Sequence, residues 1–342
     1  MRLLLITQIV DTSDTYLGFF HRWIEHLAHY FESIEVICLY EGTHALPENV
    51  RVHSLGKEKG KRRGLMYALR FFKVLWKLRC SYDAVFVHMN EEYVLLGGFV
   101  WRLLSKPVYL WRNHYAGSWR TSVAASLSRK VFYTSAHSYT ARYKNSVRMP
   151  VGVDTERFEK VADAERTHGS ILFLARMAPS KRPELLIDAL ALLKEKQLPF
   201  IATLVGSPLA EDVGYYASLQ DKVRADGLSA HIRFLPGIPH AQTPEIFGVH
   251  QIFVNASPSG MLDKTHFEAA AAGCAVVSSS ADWRDMTSPA QTYFEDSRTL
   301  ADLLEHMHMH GSAEMVEAGK VISKVHSLHI LARRIADECM RK

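Results

Sequence analysis

Two basic residues stand directly after a short apolar run in the second half of the chain. Arg176 and Lys181 follow the predicted strand Ile171–Ala175, and Pro183 and Glu184 open the helical pattern behind them. A helix N-terminus attracts anions, and an arginine can hold a phosphate with two donors. The spacing therefore indicates a site that neutralises a diphosphate, and two solvated surface cations are the competing interpretation.

A segment rich in small residues follows the predicted strand Ile252–Asn255. Ser257, Ser259 and Gly260 permit a ligand to approach the backbone closely. Glu268 is expected near the start of the Ala-rich helix that comes next, where its carboxylate can accept hydrogen bonds from a ribose diol. An acidic first-turn residue that complements the helix dipole is the alternative.

Polar residues also follow two predicted strands of the first half. His88 and Asn90 come at the end of Val85–His88, and Asp14 lies in the loop after Leu3–Thr7. Each of the three is a candidate for binding an acceptor substrate. Turns and helix caps explain the same residues, since Asp and Asn are frequent at helix N-termini.

Three alternating histidines near the end of the chain raise the question of a metal. On a helix His306 and His310 share a face, but His308 does not, and no acidic or cysteine partner stands at ligand spacing. The chain has no Asp-x-Asp motif, and its four cysteines form neither a C-x-x-C nor a zinc pattern. We therefore expect exposed helix-end histidines, no metal requirement and no cofactor.

Alternating strands and helices must position these residues. The short apolar runs predict ten strands, namely Leu3–Thr7, Ile34–Leu39, Val85–His88, Val108–Trp111, Val131–Thr134, Ile171–Ala175, Phe200–Val205, Ile232–Leu235, Ile252–Asn255 and Ala275–Ser278. Helical patterns lie between them near residues 16–30, 63–79, 91–104, 183–196, 213–227, 265–272 and 298–309. Repeated strand–helix–strand units predict an α/β fold with parallel sheets.

Two such sets of units indicate two Rossmann-like, doubly wound domains facing a central cleft. A length of 342 residues fits two domains of ordinary size. We expect an acceptor-side domain over residues 1–150 and a donor-binding domain over 151–325, with a C-terminal helix over 326–342 packing back across the join. Ligands of open α/β sheets bind beyond the carboxyl ends of the strands, which is where the candidate residues stand.

Charge is distributed unevenly between the two halves. Residues 1–150 contain 21 Lys/Arg and 11 Asp/Glu, a net charge of +10. Residues 151–342 contain 20 Lys/Arg and 25 Asp/Glu, a net charge of −5. Residues 57–79 form the basic centre, with nine Lys/Arg and one acid. No motif in it supports nucleic-acid binding, so we expect no nucleic-acid partner.

The same basic segment carries an apolar stripe at helical spacing, formed by Leu65, Leu69, Phe72 and Trp76. The stripe either packs a helix onto the sheet or enters an anionic membrane surface. No apolar run approaches transmembrane length, and the first run is too short for a signal sequence. We expect a cytoplasmic protein, with peripheral contact at the inner face of the plasma membrane as a further hypothesis.

The second half resembles the retaining GT-B glycosyltransferases of family 4. Five landmarks carry the resemblance in order: Val151–Phe158, Arg176 with Lys181 at Arg-x4-Lys spacing, Gly206 in a Leu-Val-Gly-Ser run, Phe234–Gly237, and Glu268–Gly273. The landmarks span more than a hundred residues, which makes the set far more specific than any member. The first half matches more loosely, through Gly18 in the first loop and His114 after the strand Val108–Trp111.

The resemblance implies a role for each matching residue. Arg176 and Lys181 would stabilise the diphosphate leaving group, Glu268 would bind the donor ribose, and His114 would lie beside the donor sugar. The remaining donor-binding candidates are Gly18, Gly206, Gly237, Ile238, Ser259, Gly260, Met261, Lys264 and Thr265. The co-substrate would be a UDP or GDP sugar, and the acceptor a glycan or lipid-linked molecule of the cell envelope.

One departure from the family pattern concerns the sugar. The family often has two glutamates eight positions apart, but Gly260 stands eight positions before Glu268. Asp263 lies in the intervening loop and is expected to contact sugar hydroxyls and to assist catalysis in place of the missing glutamate. Nucleobase, sugar, acceptor, linkage and oligomeric state are left open by the sequence.

Two other functions fit part of the pattern. A nucleotide-sugar epimerase has a similar fold, and an inactive relative would bind a nucleotide sugar without releasing diphosphate. A dinucleotide dehydrogenase is disfavoured, because no G-x-G-x-x-G follows the first strand of either half. The ordered landmarks favour the transferase.

Overall fold

The computed structural model describes residues 1–60, 64–287 and 292–341. Lys61, Arg62 and Arg63 of the basic centre lie outside these ranges, as does Lys342 of the C-terminal segment. None of the helices in the described ranges combines the length and the hydrophobicity that crossing a bilayer demands. The chain divides into two compact units.

The first unit consists of Met1–Gly152, Pro239–Ala241 and the described residues from Leu328 onward. Its sheet has seven parallel strands in the order β3-β2-β1-β4-β5-β6-β7. The strands are β1 Arg2–Val10, β2 Ser33–Glu41, β3 Val50–Ser54, β4 Ala84–His88, β5 Val108–Trp111, β6 Lys130–Tyr133 and β7 Ser146–Arg148. Central strands such as β4 are buried along their whole length, as expected for a sheet covered on both faces.

Helices cover both faces of this sheet. They are α1 Phe19–Ala28, α2 Gly64–Leu78, α3 Glu91–Leu103, α4 Trp119–Leu127 and the C-terminal helix, which we number α13, Leu328–Met340. On one face, α1 and α13 bury residues such as Ile24 and Leu331 in a common core with Leu3 and Leu5 of β1. On the other face, α2, α3 and α4 form a second core with Leu4 and Ile6.

The second unit consists of Val153–Ile238 and Gln242–Ser327. Its five parallel strands, in the order β10-β9-β8-β11-β12, are β8 Thr167–Leu174, β9 Ile201–Val205, β10 Ile232–Leu235, β11 His250–Asn255 and β12 Ala275–Ser278. Its helices are α5 Thr155–Glu159, α6 Pro183–Glu195, α7 Val213–Ala225, α8 Thr243–Gly248, α9 Lys264–Ala271, α10 Ala281–Arg284, α11 Ser297–His310 and α12 Ala313–Val325. This strand order is that of a doubly wound sheet, which confirms the predicted fold class.

All ten predicted strands are present within a few residues, but β3 and β7 were missed. Both are edge strands with half-exposed residues, so neither shows a continuous apolar run. The C-terminal part of the described chain contains two helices, α12 and α13. They are separated at His326–Ser327, where Val153 pairs with Ser327 in an isolated bridge.

The apolar stripe of α2 does not pack onto the sheet. Phe71, Leu75 and Leu78 are the buried residues of this helix. Leu65 and Trp76, the two ends of the predicted stripe, are exposed. Both sides of the helix are apolar, so its periodicity alone could not decide which one faces the core.

Candidate functional site

The carboxyl ends of β8 and β11 lie side by side in the second unit. The two strands are hydrogen-bonded neighbours at the centre of the sheet, and the strand order reverses between them. Ligands of doubly wound sheets bind at such a switch point. The loop after β8 carries Arg176 and Lys181, and the loop after β11 carries Ser257 and Asp263, so the topology brings the two sequence motifs together.

Lys181 belongs to a network of hydrogen bonds that joins these two loops. Its ammonium donates to the carboxylate Oδ2 of Asp263 at 2.6 Å and to Ser257 Oγ at 3.1 Å. Ser257 Oγ donates to the same carboxylate oxygen at 2.6 Å, and Asn255 Nδ2 lies 3.3 Å from it. One carboxylate oxygen therefore accepts from three side chains and fixes the position of the ammonium.

The electrostatics of Asp263 follow from this network. Burial alone would raise the pKa of its carboxyl group, but the charge and hydrogen bond of Lys181 and the hydroxyl of Ser257 outweigh burial and hold that pKa below its ordinary value. Asp263 is thus ionised at neutral pH and pairs with Lys181. The sequence-based expectation that Asp263 contacts sugar hydroxyls stays a prediction, and the observed contact is with the cation.

Arg176 occupies the turn between β8 and the Lys181 segment. Its Nε is buried and has no hydrogen-bond acceptor among the described residues. Backbone hydrogen bonds join the residues on both sides of Arg176 to the end of β9 and the loop after it. Ala175 N donates to Val205 O at 3.1 Å, and Met177 N donates to Ser207 O at 3.3 Å. A guanidinium held in this way has an unused donor for an anionic ligand.

Gly206 and Gly237 belong to the neighbouring loops after β9 and β10. A Cβ atom on Gly206 would lie 1.8 Å from Ala175 O, so the loops after β8 and β9 approach too closely for any side chain. Gly237 N donates to Ser207 Oγ at 3.0 Å, which links the third loop to the second. Ile238 follows Gly237 at the end of this segment and is half-buried.

The turn before α9 is held by residues after β12. Ser259 Oγ accepts from Ala281 N at 2.8 Å, and Gly260 N donates to the buried Asp282 carboxylate at 2.8 Å. Gly260 has φ +93°, a left-handed value for which glycine is suited. Met261 follows this turn, half-buried. The position of the missing glutamate is thus a tight turn tethered to α10.

Helix α9 begins at Lys264, which agrees with the helical pattern predicted near residues 265–272. Glu268 lies in the second turn of the helix, and its side chain is buried, with 4% exposed. The first turn contains no acidic residue, so complementing the helix dipole does not explain Glu268. Thr265 Oγ1 lies 3.3 Å from Asn255 Nδ2 and joins α9 to the end of β11.

Lys264 stands one turn before Glu268 on the same face of α9. Burial lowers the pKa of its ammonium to about 7, and the carboxylate of Glu268 offsets only part of this effect. An anion close to this ammonium would favour its charged form.

Two residues of this site, Arg182 and His266, escaped the sequence analysis. Arg182 donates to Ala256 O at 2.7 Å and to Ser279 Oγ at 2.7 Å, bridging the loops after β11 and β12. His266 is fully buried between Asp263 O and Ser278 Oγ, at 3.0 and 2.7 Å. Arg182 could have been noticed as a third cation before Pro183, but its partners are set only by the fold.

The acceptor candidates of the first unit are engaged locally. His88 is buried, stacks on Phe20 with ring centroids 3.8 Å apart, and lies 3.3 Å from Thr7 Oγ1. Asp14 Oδ1 accepts from the backbone N–H groups of Tyr16 and Leu17 at 2.8 and 2.6 Å. These contacts support the structural interpretation of both residues, and their acceptor role stays a prediction.

The other candidates of the first unit lie in loops at the carboxyl edge of its sheet. Asn90 is the N-cap residue of α3 but makes no side-chain cap hydrogen bond. His114 stacks on Tyr115, and its Nδ1 accepts from Ala116 N at 2.9 Å. A Cβ on Gly18 would lie 2.4 Å from Asp14 O, so local packing alone requires glycine there.

The histidines of α11 form no ligand cluster. The rings of His306 and His310 stack with centroids 4.4 Å apart. Within the described ranges no group of three His, Cys, Asp or Glu residues is arranged to hold a metal ion. The expectation that no metal is required stays a prediction.

Comparison with known proteins finds a family match for the segment that contains these residues. Residues 154–284, which contain the whole Arg176–Glu268 segment, match the family model described as glycosyl transferases group 1. No curated protein sequence matches the chain significantly.

Solved structures show the fold of the whole chain. Anabaena HepE in complex with UDP and glucose is 19% identical, with a TM-score of 0.76 and 99% of each chain covered. Sucrose-phosphate synthase from Thermosynechococcus elongatus is 15% identical, with a TM-score of 0.76 over 98% of each chain. WaaG, a glycosyltransferase involved in lipopolysaccharide biosynthesis, is 13% identical, with a TM-score of 0.66 over 99% of this chain and 100% of its own. These likenesses show the GT-B fold.

Proposed function

We propose that the chain is a retaining family 4 glycosyltransferase that moves a sugar, of hexosyl type, from a nucleoside diphosphate donor to a glycan or lipid-linked acceptor. The observation that carries the proposal is the position of Arg176 and Lys181. Both lie on one loop at the switch point of the second sheet, within the segment that matches the group 1 family model. HepE was solved with UDP and glucose, which supports a UDP sugar as the first donor to test.

The chemistry requires stabilisation of a leaving group. The anomeric C–O bond to the diphosphate breaks, a new bond forms to the acceptor oxygen, and negative charge develops on the departing phosphate oxygen. Fixed cations at that oxygen lower the barrier. Arg176 has an unused buried donor, and the ammonium of Lys181 is held in place by Asp263, which supports this role for the two residues.

Proton transfer completes the proposed step. On the retaining route, the departing phosphate oxygen takes the proton of the acceptor hydroxyl on the same face of the sugar. No protein nucleophile is then needed. Asp263 is paired with Lys181 and acts in this scheme by positioning the cation. A metal ion is not part of the proposal, because Arg176 and Lys181 supply the positive charge in this scheme.

The remaining donor and acceptor assignments extend the same proposal. Glu268 binds the ribose, and the backbone near Gly237 and Ile238 meets the nucleobase. The first unit binds the acceptor, with His114 toward the sugar, as part of envelope polysaccharide or glycolipid synthesis. Peripheral contact of residues 57–79 with an anionic membrane would bring the cytoplasmic enzyme to a lipid-linked acceptor.

Thermal unfolding with UDP, GDP, ADP and TDP tests the donor site first. A ligand that binds only the native state at 100 times its Kd adds about 2.7 kcal/mol of stability. We expect one diphosphate to raise the Tm of wild type and of the exposed control Arg233→Ala, but not of Arg176→Ala/Lys181→Ala. No shift with any diphosphate would overturn the proposal.

The products identify the reaction class. The next donors to test are sugars linked to the nucleoside diphosphate that raises the Tm. We expect release of that diphosphate only when an acceptor is present. An epimerase would convert the nucleotide sugar without releasing diphosphate, and an inactive relative would show the thermal shift without any turnover. Anomeric configuration of the product, read by NMR, decides between retention and inversion.

A further inference from the structure

A long stretch of the first unit contains no acidic residue. Residues 93–153 include neither Asp nor Glu, and nine lysines and arginines are spread along them. A surface that carries cations without carboxylates attracts anions, so the place where these cations converge is informative. The nine residues are Arg102, Lys106, Arg112, Arg120, Arg129, Lys130, Arg142, Lys144 and Arg148.

Two loops of this stretch are joined at the carboxyl edge of the first sheet. Residues 112–118 follow β5 and residues 134–145 follow the neighbouring strand β6, and we call them the paired loops. Tyr139 N donates to His114 O at 2.8 Å. A Cβ atom on Gly117 would collide with the Tyr139 ring, so this ring packs directly on the backbone of the first loop. The paired loops therefore form one surface.

Arg142 is held on this surface with donors to spare. Its guanidinium lies 3.7 Å from the centroid of the Tyr139 ring, and its Nε donates to Tyr139 O at 3.0 Å. The side chain is exposed, and its two terminal nitrogens donate to no described residue. A guanidinium fixed in this way presents a fork of donors that matches the two oxygens of a carboxylate or a phosphate.

A second exposed arginine stands on an aromatic ring beside the paired loops. The guanidinium of Arg120 lies 5.7 Å from the Trp119 ring, in the first turn of α4. This turn is joined to the second of the paired loops, because Ser122 Oγ and the hydroxyl of Tyr143 are hydrogen-bonded at 2.9 Å. Two arginines supported by aromatic rings therefore belong to one connected part of the sheet edge.

Exposed aromatic rings accompany these cations. Tyr115 is 50% exposed and stacks on His114 with ring centroids 4.5 Å apart, and Trp119 is 71% exposed. An exposed ring offers a flat apolar face, and the C–H groups of a sugar ring form a surface of the same kind. Arginines that bind an anion, next to rings that stack on a sugar, are together suited to an acidic saccharide.

An acid from α3 does reach the paired loops, but its charge is offset there. Glu91 forms an ion pair with Arg112 and accepts from Thr121 Oγ1 at 3.0 Å. Glu91 is buried, with 9% exposed. Arg112 also donates to Ala116 O at 3.2 Å, so this pair supports the first of the paired loops from below and leaves Arg120 and Arg142 as the exposed cations.

We propose that the paired loops bind an acceptor glycan that carries an anionic group, either the carboxylate of a uronic acid or a phosphate on a sugar. Arg142 and Arg120 bind the anion, and Tyr115 and Trp119 stack on the sugar rings. The inference rests on the proposed function, in which the first unit binds the acceptor. It narrows that acceptor from any glycan to an acidic one.

Isothermal titration calorimetry of the whole protein without a donor tests the proposal. The probes form two matched pairs: tetragalacturonate with its carboxyl-reduced form, and galactose 6-phosphate with galactose. We expect the acidic member of at least one pair to bind about tenfold or more tightly than its neutral partner, because a hydrogen bond to a charged group is worth about 1.5–3 kcal/mol. The pair that shows the preference identifies the anion as carboxylate or phosphate. Equal affinities within both pairs, or no binding of any probe, would overturn the proposal.

Substitutions separate the contribution of charge from that of the rings. Arg142→Gln should weaken binding of the acidic sugar about tenfold and reduce its dependence on salt, since a charge has been removed. Tyr115→Ser should also weaken binding but leave the salt dependence unchanged. Unaltered affinity in both variants would contradict the assignment to the paired loops.

A matched control lies in the same acid-free stretch. Arg102 is exposed near the end of α3, which precedes β5 and so lies at the opposite edge of the sheet. Arg102→Gln removes the same charge and should leave sugar binding unchanged. Tetraglutamate, an anion without a sugar, should bind more weakly than tetragalacturonate. Equal loss of affinity in Arg102→Gln and Arg142→Gln, or equal binding of the peptide, would mean general attraction of anions and would refute the proposal.

The diphosphate melting experiment keeps this inference separate from the proposed function. A nucleoside diphosphate that raises the Tm, together with no preference for acidic sugars, would refute the acidic acceptor and leave the transferase proposal standing. A preference for acidic sugars without any diphosphate shift would refute the transferase proposal, and the paired loops would then be a binding site for acidic glycans alone. Unchanged melting curves of Arg142→Gln and Tyr115→Ser without ligand exclude misfolding as the cause of weaker binding.

Discussion

The ammonium of Lys181 lies 2.6 Å from the carboxylate of Asp263, although the two residues are 82 positions apart in the chain. Their side chains are mostly buried, with 16% and 21% exposed. The ammonium is thus paired with a carboxylate of the neighbouring loop in the structure. This arrangement predicts energetic coupling between the two residues.

A double-mutant cycle measured by urea unfolding gives this coupling. It compares wild type, Lys181→Met, Asp263→Asn and the double variant. We expect a coupling free energy of about 1–3 kcal/mol, as for hydrogen bonds between charged groups away from bulk water. The exposed ion pair of Arg224 and Asp221 is the control, and its coupling should stay below about 0.5 kcal/mol. Equal coupling in both cycles would show that the Lys181 pair is only a surface contact.

Arg176 should matter for turnover far more than for folding. Its Nε has no acceptor in the described structure, so Arg176→Ala removes an unsatisfied donor and should change stability little. Turnover should fall about a hundredfold or more, as for the loss of one oxyanion donor. The turnover of Arg176→Lys should lie between those of wild type and Arg176→Ala, because lysine keeps the charge but cannot donate two parallel hydrogen bonds to a phosphate. Steady-state kinetics with the identified donor decides the matter, and near-full turnover of Arg176→Ala would exclude the assignment.

Arg182 combines an unfavourable backbone with favourable side-chain bonds. Its φ is +50° and its ψ +45°, a conformation that costs a non-glycine residue roughly 1–2 kcal/mol. Arg182→Gly and Arg182→Ala both lose the bonds to Ala256 O and Ser279 Oγ, but only glycine removes the backbone strain. We expect Arg182→Ala to be less stable than Arg182→Gly by about 1 kcal/mol in urea unfolding. Identical stabilities would mean that the backbone relaxes at this position.

Gly206 and Gly214 predict opposite responses to the same substitution. A methyl group on Gly206 would collide with Ala175 O, whereas the corresponding space at Gly214 in α7 is open. Gly206→Ala should destabilise the protein by about 2 kcal/mol or more, and Gly214→Ala should be neutral or stabilise it by up to about 1 kcal/mol. Denaturant midpoints of the two variants give the comparison, and a neutral Gly206→Ala would disprove the close approach of the two loops.

Lys264 predicts a dependence of stability on pH. Its pKa is about 7 in the folded protein and near the ordinary lysine value when unfolded, so between these values the unfolded chain binds more protons. The contribution of Lys264 to the free energy of unfolding therefore rises with pH above 7, by up to about 1.4 kcal/mol per unit. Lys264→Met should flatten this rise between pH 7 and about 9, while Lys160→Met, at an exposed site, should not. Parallel curves for wild type and Lys264→Met would refute the shifted pKa.

The sequence determined the secondary structure and the class of the fold. Continuous apolar runs separated by helical patterns are local properties. They predicted ten of the twelve strands in the described part of the chain and the parallel α/β arrangement. The sequence analysis also placed Arg176, Lys181 and Glu268 after the correct strands. Those positions follow from local chain order, because a residue after a strand must emerge at the carboxyl edge of the sheet.

Only the tertiary structure decided which side chains meet. Lys181 pairs with Asp263 because β8 and β11 are neighbouring strands. The order of strands in a sheet cannot be predicted from a local sequence pattern. Arg182 reaches Ser279 across three adjacent strand ends for the same reason. The apolar stripe of α2 faces outward, and Phe71 and Leu75 on the other side of this helix lie in the core. Periodicity shows that a helix has apolar sides, but packing against a particular sheet selects the one that is buried.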